Sequence, residues 1–433
     1  MEYLWTKDVE MPEFPPLKGN LTTDVLIIGG GMAGILCARM LHDAKVNYAL
    51  VEADRIGSGM TRGTTAVLTA QHDTLYADLI DKHGEAHARQ YLEANLHALA
   101  NFRALAHDIP CDLEDAPSIM YSLDNRAQME REVRAVNSLG FPAELTSRVP
   151  LPFGVAGAVV FPGMAQFHPL KFLAGLVKDL HIHEHTFVRR LEGTVAYTDT
   201  SEIRAKRVIV ATHFPFVNRH GLYFMKLYQK RSFVIALRNA PQLNCTIMDV
   251  AENGMYLRNY EDLLLVGGGD RRTGKQSGGI EVVRAFARRL FPQASEVLAW
   301  ANQDCISLDG VPYIGSYSPA MPDVYVATGF NEWGMTSSMV AAEILTDMVR
   351  GQENRYADAF APNRSMLTAQ LFANMGATLL DFAIPTVKRC SHLGCALRWN
   401  PSEHSWDCPC HGSRFSEHGR LLNNPAMRDS HVE

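Results

Sequence analysis

The feature that most constrains the fold is a strand, a glycine-rich turn, a helix and a second strand near the start of the chain. Residues 24–28 are a short apolar run, and Gly29, Gly31 and Gly34 follow with G-x-G-x-x-G spacing. A second apolar run ends in the acid Glu52. In such a unit the glycines allow a tight turn, the approach of a pyrophosphate and close packing of helix on strand, while the acid binds ribose hydroxyls. The pattern predicts a βαβ unit that binds a dinucleotide.

The eight cysteines of the chain are unevenly distributed, and four of them fall between Cys390 and Cys410. The segments 390–392 (Cys-Ser-His) and 408–411 (Cys-Pro-Cys-His) each supply a cysteine and a histidine. A Rieske [2Fe-2S] cluster needs two thiolates on one iron and two imidazoles on the other. Zinc is the alternative for such a set, but a C-x-H pair is shorter than the cysteine pairs of zinc fingers. The spacing therefore favours a Rieske cluster over zinc.

The composition is that of a globular protein. The 433 residues suffice for two or three domains with large cores, and 47% of them are hydrophobic. The net charge of −6 gives no reason to expect nucleic acid or an anionic membrane as a partner. The chain lacks the roughly 18 consecutive apolar residues of a membrane span, and its first residues lack a signal-peptide pattern. We therefore expect a cytoplasmic protein without a membrane span.

A late segment bears on which dinucleotide is bound. Residues 326–328 are apolar, Gly329 follows as a turn, and a helix is expected from about Gly334. An FAD enzyme of this build returns late in the chain to close over the isoalloxazine ring, and the segment 326–336 fits that role. The sequence therefore favours FAD over NAD.

With these motifs the chain resembles the D-amino-acid oxidase/glycine oxidase group of FAD oxidoreductases, and within it the bacterial members fused to a C-terminal Rieske module. The segments that carry the resemblance are the early glycines with Glu52, 57–66, 166–169, 210–213, 309–315 and 326–336. The resemblance implies an α/β fold with an FAD-binding Rossmann-like domain, an α+β substrate domain of mainly antiparallel sheet, and a small Rieske module. The expected ranges are 1–80, 150–215 and 305–350 for the FAD domain, 81–149 and 216–304 for the substrate domain, 351–386 for a connector and 387–433 for the module.

The resemblance also implies which residues serve the two cofactors. The expected FAD contacts are Gly29, Gly31, Gly34, Glu52, Thr64, Thr65, Gly329, Gly334, Met335 and Thr336. The expected cluster ligands are Cys390, His392, Cys408 and His411. In Rieske modules the two inner cysteines, here Cys395 and Cys410, do not bind iron but form a disulfide that joins the ligand loops.

Four other sites have competing interpretations. Arg258 lies where relatives place a carboxylate-binding arginine, a task suited to a bidentate guanidinium, but an exposed strand arginine is the alternative. His72 is either a covalent flavin tether or a residue at a helix start. His168 is either a base or a helix-entry residue, and the latter is favoured. The glycines of 267–270 follow a strand without leading into a helix, so we expect a loop there and no second nucleotide site.

Two departures from the usual Rieske pattern stand out. Rieske modules often carry a tyrosine two residues after the serine that follows the second ligand loop, and here Ser413 is kept but Phe415 takes the place of the tyrosine. Fewer donors to the cluster predict a potential below that of respiratory Rieske proteins. Residues 387–433 are also too few to support a core of their own, so we predict that this segment does not fold alone.

A flavin takes two electrons whereas a Rieske cluster moves one at a time. The resemblance therefore implies dehydrogenation of a small amine or amino acid at FAD, followed by relay of single electrons through the cluster to an external acceptor. The alternatives are an electron-transfer or redox-sensing protein without a substrate of its own, and a flavin oxidase whose cluster is structural.

Overall fold

The computed structural model describes residues 2–218, 220–275 and 278–432. The helices within these ranges are α1 Met32–Asp43, α2 Leu75–His83, α3 Glu85–Ala106, α4 Arg126–Ser138, α5 Pro169–Leu176, α6 Tyr223–Lys226, α7 Ile280–Leu290, α8 Gly334–Arg350, α9 Ala357–Phe360 and α10 Ala369–Phe382. None of the helices in this part of the chain combines the length and the apolar character that crossing a membrane requires.

The strands in the described ranges pair into four sheets. They are β1 Leu21–Ile28, β2 Tyr48–Val51, β3 Val67–Leu68, β4 Glu114–Asp115, β5 Ser118–Ser122, β6 Glu144–Thr146, β7 Gly157–Phe161, β8 Ala165–Gln166, β9 Ile182–His183, β10 Arg190–Glu192, β11 Val195–Tyr197, β12 Glu202–Val210, β13 Leu227–Arg238, β14 Thr246–Asp249, β15 Tyr256–Tyr260, β16 Leu263–Arg272, β17 Ser295–Ser307, β18 Tyr313–Ser318, β19 Met321–Thr328, β20 Arg398–Asn400, β21 Ser405–Asp407, β22 Arg414–Ser416 and β23 Leu421–Asn423.

The first sheet has a parallel centre in which β9, β2, β1, β12 and β19 lie side by side. The central strands are continuous apolar runs, which is typical of strands covered on both faces. Helices α1 and α8 pack against each other on one face and share its core with the parallel strands. The predicted Rossmann-like FAD-binding fold is thereby confirmed.

The second sheet has the strand order β17-β13-β16-β15-β14-β5-β7-β6. All of its strand pairs are antiparallel except that of β5 with β14. Helix α7 packs on β13 and β16 at one end of the sheet. This is the predicted α+β domain of mainly antiparallel sheet.

The C-terminal module is a four-stranded antiparallel sheet, β20 to β23, with a small core built largely from its cysteines and Phe415. The preceding stretch 351–386 contains α9 and α10 and joins the module to α8.

Two stretches of the second sheet cross the expected domain ranges. β7 lies within the range 150–215 expected for the FAD domain, yet it pairs with β5 and β6. β17 runs through the expected boundary between 304 and 305. The loop expected at 267–270 is wrong, because these residues lie within β16, where Gly267 pairs with Val234 of β13 and with Tyr256 of β15.

Candidate functional site

A cavity of about 1120 Å³ lies where the first and second sheets meet. Eight of the ten expected FAD contacts line it, namely Gly29, Gly31, Glu52, Thr64, Thr65, Gly329, Gly334 and Met335. The other two, Gly34 and Thr336, do not line the cavity but lie behind residues that do. Gly34 packs under Gly29, and the Thr336 hydroxyl donates to the Thr69 carbonyl at 3.0 Å. The cavity thus unites residues from both ends of the expected FAD domain.

The turn between β1 and α1 depends on glycine. Gly29 has φ of +113°, and a Cβ atom there would lie 2.4 Å from the Ala211 carbonyl oxygen. A Cβ atom on Gly34 would lie 1.9 Å from the carbonyl oxygen of Gly29. A side chain at Gly29 would push the turn away from Ala211, which follows β12, and one at Gly34 would push α1 away from the turn.

Glu52 stands at the end of β2 beside this turn. Its carboxylate accepts hydrogen bonds from the main-chain N–H groups of Gly30 at 2.6 Å and Asp54 at 2.9 Å. Burial raises the pKa of the Glu52 carboxyl although both donors stabilise its charge. The acid is fixed at the rim of the cavity, where the ribose of a dinucleotide is expected.

These residues fit an FAD molecule. A Cβ atom on Gly31 would have only the Thr61 hydroxyl, at 3.5 Å, within 4 Å, so a ligand has room to approach the main chain. Gly31 is also the N-cap of α1 and offers no side-chain cap; the Thr61 hydroxyl accepts from the Met32 N–H at 3.1 Å, and Ala33, the next residue, lines the cavity, so the helix N-terminus faces the space expected for a phosphate. The cavity exceeds the roughly 300–1,000 Å³ of a typical small-ligand site, as a dinucleotide together with a substrate requires.

The second sheet closes the cavity with polar side chains that the sequence interpretation missed. Ser232, Tyr256, Asn302 and Asp304 line it from the strands, and Glu332 lines it from the loop between β19 and α8. Only Glu332 had a sequence signal, since it lies between the two glycines of the segment 326–336. The other four residues lie on strands of the second sheet. Alternate residues of a strand share one face, and only the packing of the whole sheet determines which face lines the cavity.

Gly267 of β16 makes room for the ring of Tyr256 on the neighbouring strand β15. Gly267 is the register partner of Tyr256, and a Cβ atom there would lie 1.9 Å from the tyrosine ring. The ring of Tyr256 therefore lies flat across β16 only because Gly267 has no side chain. Gly267 therefore makes room for a side chain that lines the cavity and is not part of a second nucleotide site.

Arg258 lies in the protein interior and is not among the residues that line the cavity. The alternative of an exposed strand arginine is wrong, because Arg258 is only 2% exposed. Its guanidinium donates to the main-chain carbonyls of Thr65 at 2.6 Å and Ala66 at 2.8 Å. The ring of Trp5 covers it at 5.5 Å. Packing of the N-terminal arm thus buries Arg258 behind the loop that carries Thr64 and Thr65. The sequence around Arg258 does not predict this contact.

The two histidines with competing interpretations are both buried. His72 bonds the Tyr91 hydroxyl at 2.7 Å through Nδ1 and stacks on Trp333 with ring centroids 4.9 Å apart. Burial lowers the pKa of His72 to about 3. His168 is the N-cap of α5, where its Nδ1 accepts from the Lys171 N–H at 3.1 Å, as a helix-entry residue does.

The four expected cluster ligands converge in the C-terminal module. Cys390 and Cys408 are buried and share a hydrogen bond between their side chains, which lowers the pKa of the Cys390 thiol and raises that of Cys408. The ring centroids of His392 and His411 lie 5.0 Å apart. Burial lowers the pKa of His392 to about 4 and, together with the neighbouring charge of His392, that of His411 to about 3. Neutral imidazoles are the form that binds metal.

The same side chains have the donor atoms that a Rieske cluster needs. Within the described ranges, the Nδ1 atoms of His392 and His411 are buried without a hydrogen-bond partner. Most buried polar atoms are paired, and the same nitrogen is free on both expected ligands, as binding of iron there requires. The sulfurs of Cys395, Cys408 and Cys410 lie within 4.8 Å of one another, but Cys395 and Cys410 form a disulfide. Two thiols and two imidazoles therefore remain for iron.

The opposite edges of the two imidazoles face the rest of the protein. His392 Nε2 donates to the side-chain oxygen of Asn218 at 2.8 Å, and the main chain of Phe224 hydrogen-bonds the ring of His411. The ring of Phe214 packs on both, with centroid distances of 6.4 Å to His392 and 6.3 Å to His411. Such outer partners fix the orientation of metal-binding imidazoles.

Buried charges attach the module to the second sheet. Arg231 of β13 is ion-paired with Glu403, which also accepts from Arg414 at 3.0 Å. Arg414 bonds Asp407 at 3.0 Å as well. Arg272 of β16 donates to the main-chain carbonyls of the second ligand loop at positions 409 and 410, both at 2.9 Å. The module is therefore docked on the second sheet through buried ion pairs and hydrogen bonds.

Comparison with known proteins agrees with this geometry. Residues 24–348 match the family described as FAD dependent oxidoreductase (DAO), and residues 383–432 match the Rieske [2Fe-2S] domain. YhfW of Bacillus subtilis (strain 168), named as a Rieske 2Fe-2S iron-sulfur protein, is 32% identical over 99% of this chain and 96% of its own. Gamma-glutamylputrescine oxidoreductase of Escherichia coli (strain K12) is 23% identical over 80% of this chain and 88% of its own.

Among solved structures, glycine oxidase from Geobacillus kaustophilus superposes with a TM-score of 0.68 at 22% identity, covering 80% of this chain and 100% of that one. This likeness supports the fold of the flavin-binding part. The family match spans most of the chain, and the relative with the same two parts spans nearly all of it. The chain therefore belongs to the FAD dependent oxidoreductase (DAO) family, with FAD and a Rieske [2Fe-2S] cluster as its cofactors.

Proposed function

We propose that this oxidoreductase dehydrogenates a C–N bond of a small amine or amino acid and passes single electrons through its Rieske cluster to an external acceptor. The residues that line the cavity would hold FAD, which would supply the acceptor for a hydride from the carbon next to nitrogen; the iminium so formed would become the imine by losing a proton from nitrogen to solvent. The protein contributes chiefly by positioning the substrate against the flavin. A glycine oxidase fold and a gamma-glutamylputrescine oxidoreductase among its relatives both favour this class of substrate.

One observation supports the transfer of electrons from the flavin site to the cluster. The segment after β12 borders both cofactor sites, since Thr212 and His213 line the cavity while Phe214, the next residue, packs on both ligand histidines. The carbonyls of Thr212 and Phe214 also accept hydrogen bonds from Asn424 of the module at 2.6 Å and 2.8 Å. Few residues therefore separate the flavin site from the cluster, as single-electron transfer between them requires.

The cavity favours an enzyme over a carrier that has no substrate. It extends beyond the expected FAD contacts to the polar face of the second sheet, where a small molecule can lie. An isolated electron carrier has no use for that volume.

Stopped-flow mixing of the oxidised protein with amines and amino acids, without oxygen, tests the proposal. We expect the flavin absorption to bleach first and the cluster signal to follow. A cluster signal that stays unchanged while substrate reduces the flavin would instead indicate a structural cluster. Failure of every amine and amino acid to bleach the flavin would refute dehydrogenation.

A further inference from the structure

The C-terminal module forms one side of the cofactor cavity. Its residues 420–424, 426 and 427 line the cavity together with Gly29 of the turn between β1 and α1. The side-chain amide of Asn424 donates to the Thr212 carbonyl at 2.6 Å, and a Cβ atom on Gly29 would lie 3.3 Å from the Thr212 main-chain nitrogen. Thr212 thus joins the module to the glycine turn.

The residues after β23 cover the ends of the parallel strands. Met427 packs against the apolar cluster that contains Ile28 and Val51, the last residues of β1 and β2. The carbonyl of Met427 also accepts a hydrogen bond from the Arg189 side chain at 3.2 Å. In open α/β sheets the ligand binds outside the carboxyl ends of the strands. The module therefore lies over the place where the dinucleotide part of FAD is expected.

An apolar side chain of the module is left open to this cavity. Leu421 and Leu422 both line it, but Leu421 packs against the core of the module while Leu422 is 49% exposed. Neighbouring residues of a strand point to opposite faces, so Leu422 points away from that core. A bound ligand would cover Leu422 and remove its apolar surface from water.

Arg420 brings a positive charge to the same wall. It is exposed and lines the cavity, and its main chain bonds Ser416. Among the described residues its guanidinium has neither a hydrogen bond nor an ion pair. Arg231 and Arg414 also line the cavity, but they share the carboxylate of Glu403. Arg420 is therefore available to an anionic ligand, whereas these two arginines are already paired.

The FAD domain contributes a second available arginine. Arg62 lines the cavity and follows Thr61, whose hydroxyl accepts from the Met32 N–H at the start of α1. The Nε atom of Arg62 is buried without a hydrogen-bond partner in the described ranges, and its guanidinium lies 4.7 Å from the centre of the Tyr3 ring. Arg62 thus lies beside the helix N-terminus at which a diphosphate is expected.

These two arginines match the charge of the cofactor. The diphosphate of FAD is doubly negative, whereas the N-terminus of a helix offers only about half a positive charge. An arginine adds a full charge and two donors aimed at phosphate oxygens. Arg62 and Arg420 are the arginines of the cavity that no acid among the described residues neutralises. One belongs to the FAD domain and the other to the module.

We propose that the Rieske module completes the FAD site, with Arg420 binding the diphosphate of the cofactor and Leu422 covering its adenosine half. The inference goes beyond the function proposed above, because it requires FAD but no substrate. The module then has a second task besides the proposed electron transfer, since FAD leaves the protein only when residues 420–427 move away.

Release of FAD from the full-length holoenzyme tests the proposal. Each protein is warmed to a temperature at which the wild type releases its flavin, and the FAD that passes a filter is measured by fluorescence at low and at high salt. We expect Arg420→Gln to release FAD at least about fivefold faster at low salt, because it loses a charge-assisted contact. High salt should accelerate release from the wild type more than from this variant, since salt screens an arginine–phosphate contact. Arg420→Lys keeps the charge and should recover most of the retention.

Arg428→Gln is the matched control, because Arg428 is an exposed arginine of the same module that does not line the cavity. Leu422→Ser should also speed release, but with the salt dependence of the wild type. Its control is Leu123→Ser, at an exposed leucine outside the cavity. The cluster absorption shows whether the module is intact, and Leu422→Ser decides the matter if Arg420→Gln loses that absorption. The proposal would be overturned if Arg420→Gln released FAD no faster than Arg428→Gln, if Arg420→Lys released it as fast as Arg420→Gln, or if Leu422→Ser matched Leu123→Ser.

Discussion

Gln229 of β13 donates a hydrogen bond from its side-chain amide to the main-chain carbonyl of His411, 2.7 Å away. The same amide reaches the Asn424 carbonyl at 3.2 Å, and its oxygen accepts from Gln303 at 2.6 Å. Gln303 in turn donates to the Gly412 carbonyl at 2.9 Å. Two glutamines of the second sheet thus hold the main chain of a ligand loop that belongs to the cluster module.

Gln229→Leu should loosen this loop. The substitution leaves buried carbonyls of the module unpaired, which we expect to weaken its docking by about 1–3 kcal/mol. Hydrogen exchange at residues 408–416 of the holoenzyme should accelerate, and the cluster should be reduced more slowly after photoreduction of the flavin. Gln242→Leu is the control, because Gln242 is exposed and its side-chain amide donates to the Glu261 carbonyl and not to the module. Equal exchange in both variants would show that Gln229 does not hold the loop.

The sequence predicted what depends on local spacing. The turn from Gly29 to Gly34 and the expected set of cluster ligands are each read within a few residues; the fold sets the turn beside the cavity and brings the four expected ligands together in the C-terminal module. Asp304 and Tyr256 had no such signal, because which face of a strand points to the flavin depends on register between distant strands. The burial of Arg258 also had no local signal, since contacts from Trp5 and the loop at residues 65–66 bury it.

Arg258→Met tests the position that the structure gives this residue. The change removes the donors to the Thr65 and Ala66 carbonyls, and we expect the free energy of unfolding to fall by about 2–4 kcal/mol, with weaker retention of FAD. Affinity for amines and for amino acids should change by the same factor. A loss confined to carboxylate-bearing compounds would restore Arg258 as a substrate-binding residue. Urea titration and ligand titration of the same preparations give both quantities.

The isolated segment 387–433 should not fold. Its core in the described structure is small and consists largely of cysteines that need either iron or a disulfide. Its buried Glu403 would lose Arg231, and the carbonyls of the second ligand loop would lose Arg272. Expression of the segment, compared with the full chain under the same iron supply, should give no cluster absorption. A folded fragment loaded with a cluster would contradict this expectation.

The potential of the cluster should respond to donors near its sulfurs. Ser413 hydrogen-bonds the Cys390 side chain and accepts from the Ala426 N–H at 3.0 Å, whereas Phe415 is fully buried and offers no donor. Phe415→Tyr should raise the reduction potential and Ser413→Ala should lower it, because a donor to a cluster sulfur stabilises the reduced state. Phe415→Leu, which changes packing but adds no donor, should leave the potential near that of the wild type. Redox titration followed by the cluster signal decides whether the order holds.

The stability of the ligand-free enzyme should depend on the proton of Asp304. Burial and the charge of Glu332 raise the pKa of Asp304 from 3.8 to about 8, so the folded protein keeps a proton that the unfolded chain releases. The folded state therefore loses this contribution to stability as the pH rises toward 8. Lys230, Arg231, Glu332 and Asp270 face the same group and are common to wild type and variant.

Asp304→Asn has no such proton to lose. The Tm of this variant minus that of the wild type should therefore increase between about pH 5 and about pH 8, with most of the increase complete before the folded-state pKa is reached. In the exposed-acid variant Asp262→Asn the same difference should stay flat across that range. A flat difference for Asp304→Asn as well would mean that Asp304 is ionised in the folded protein, with Lys230, its register partner, as the counter-ion.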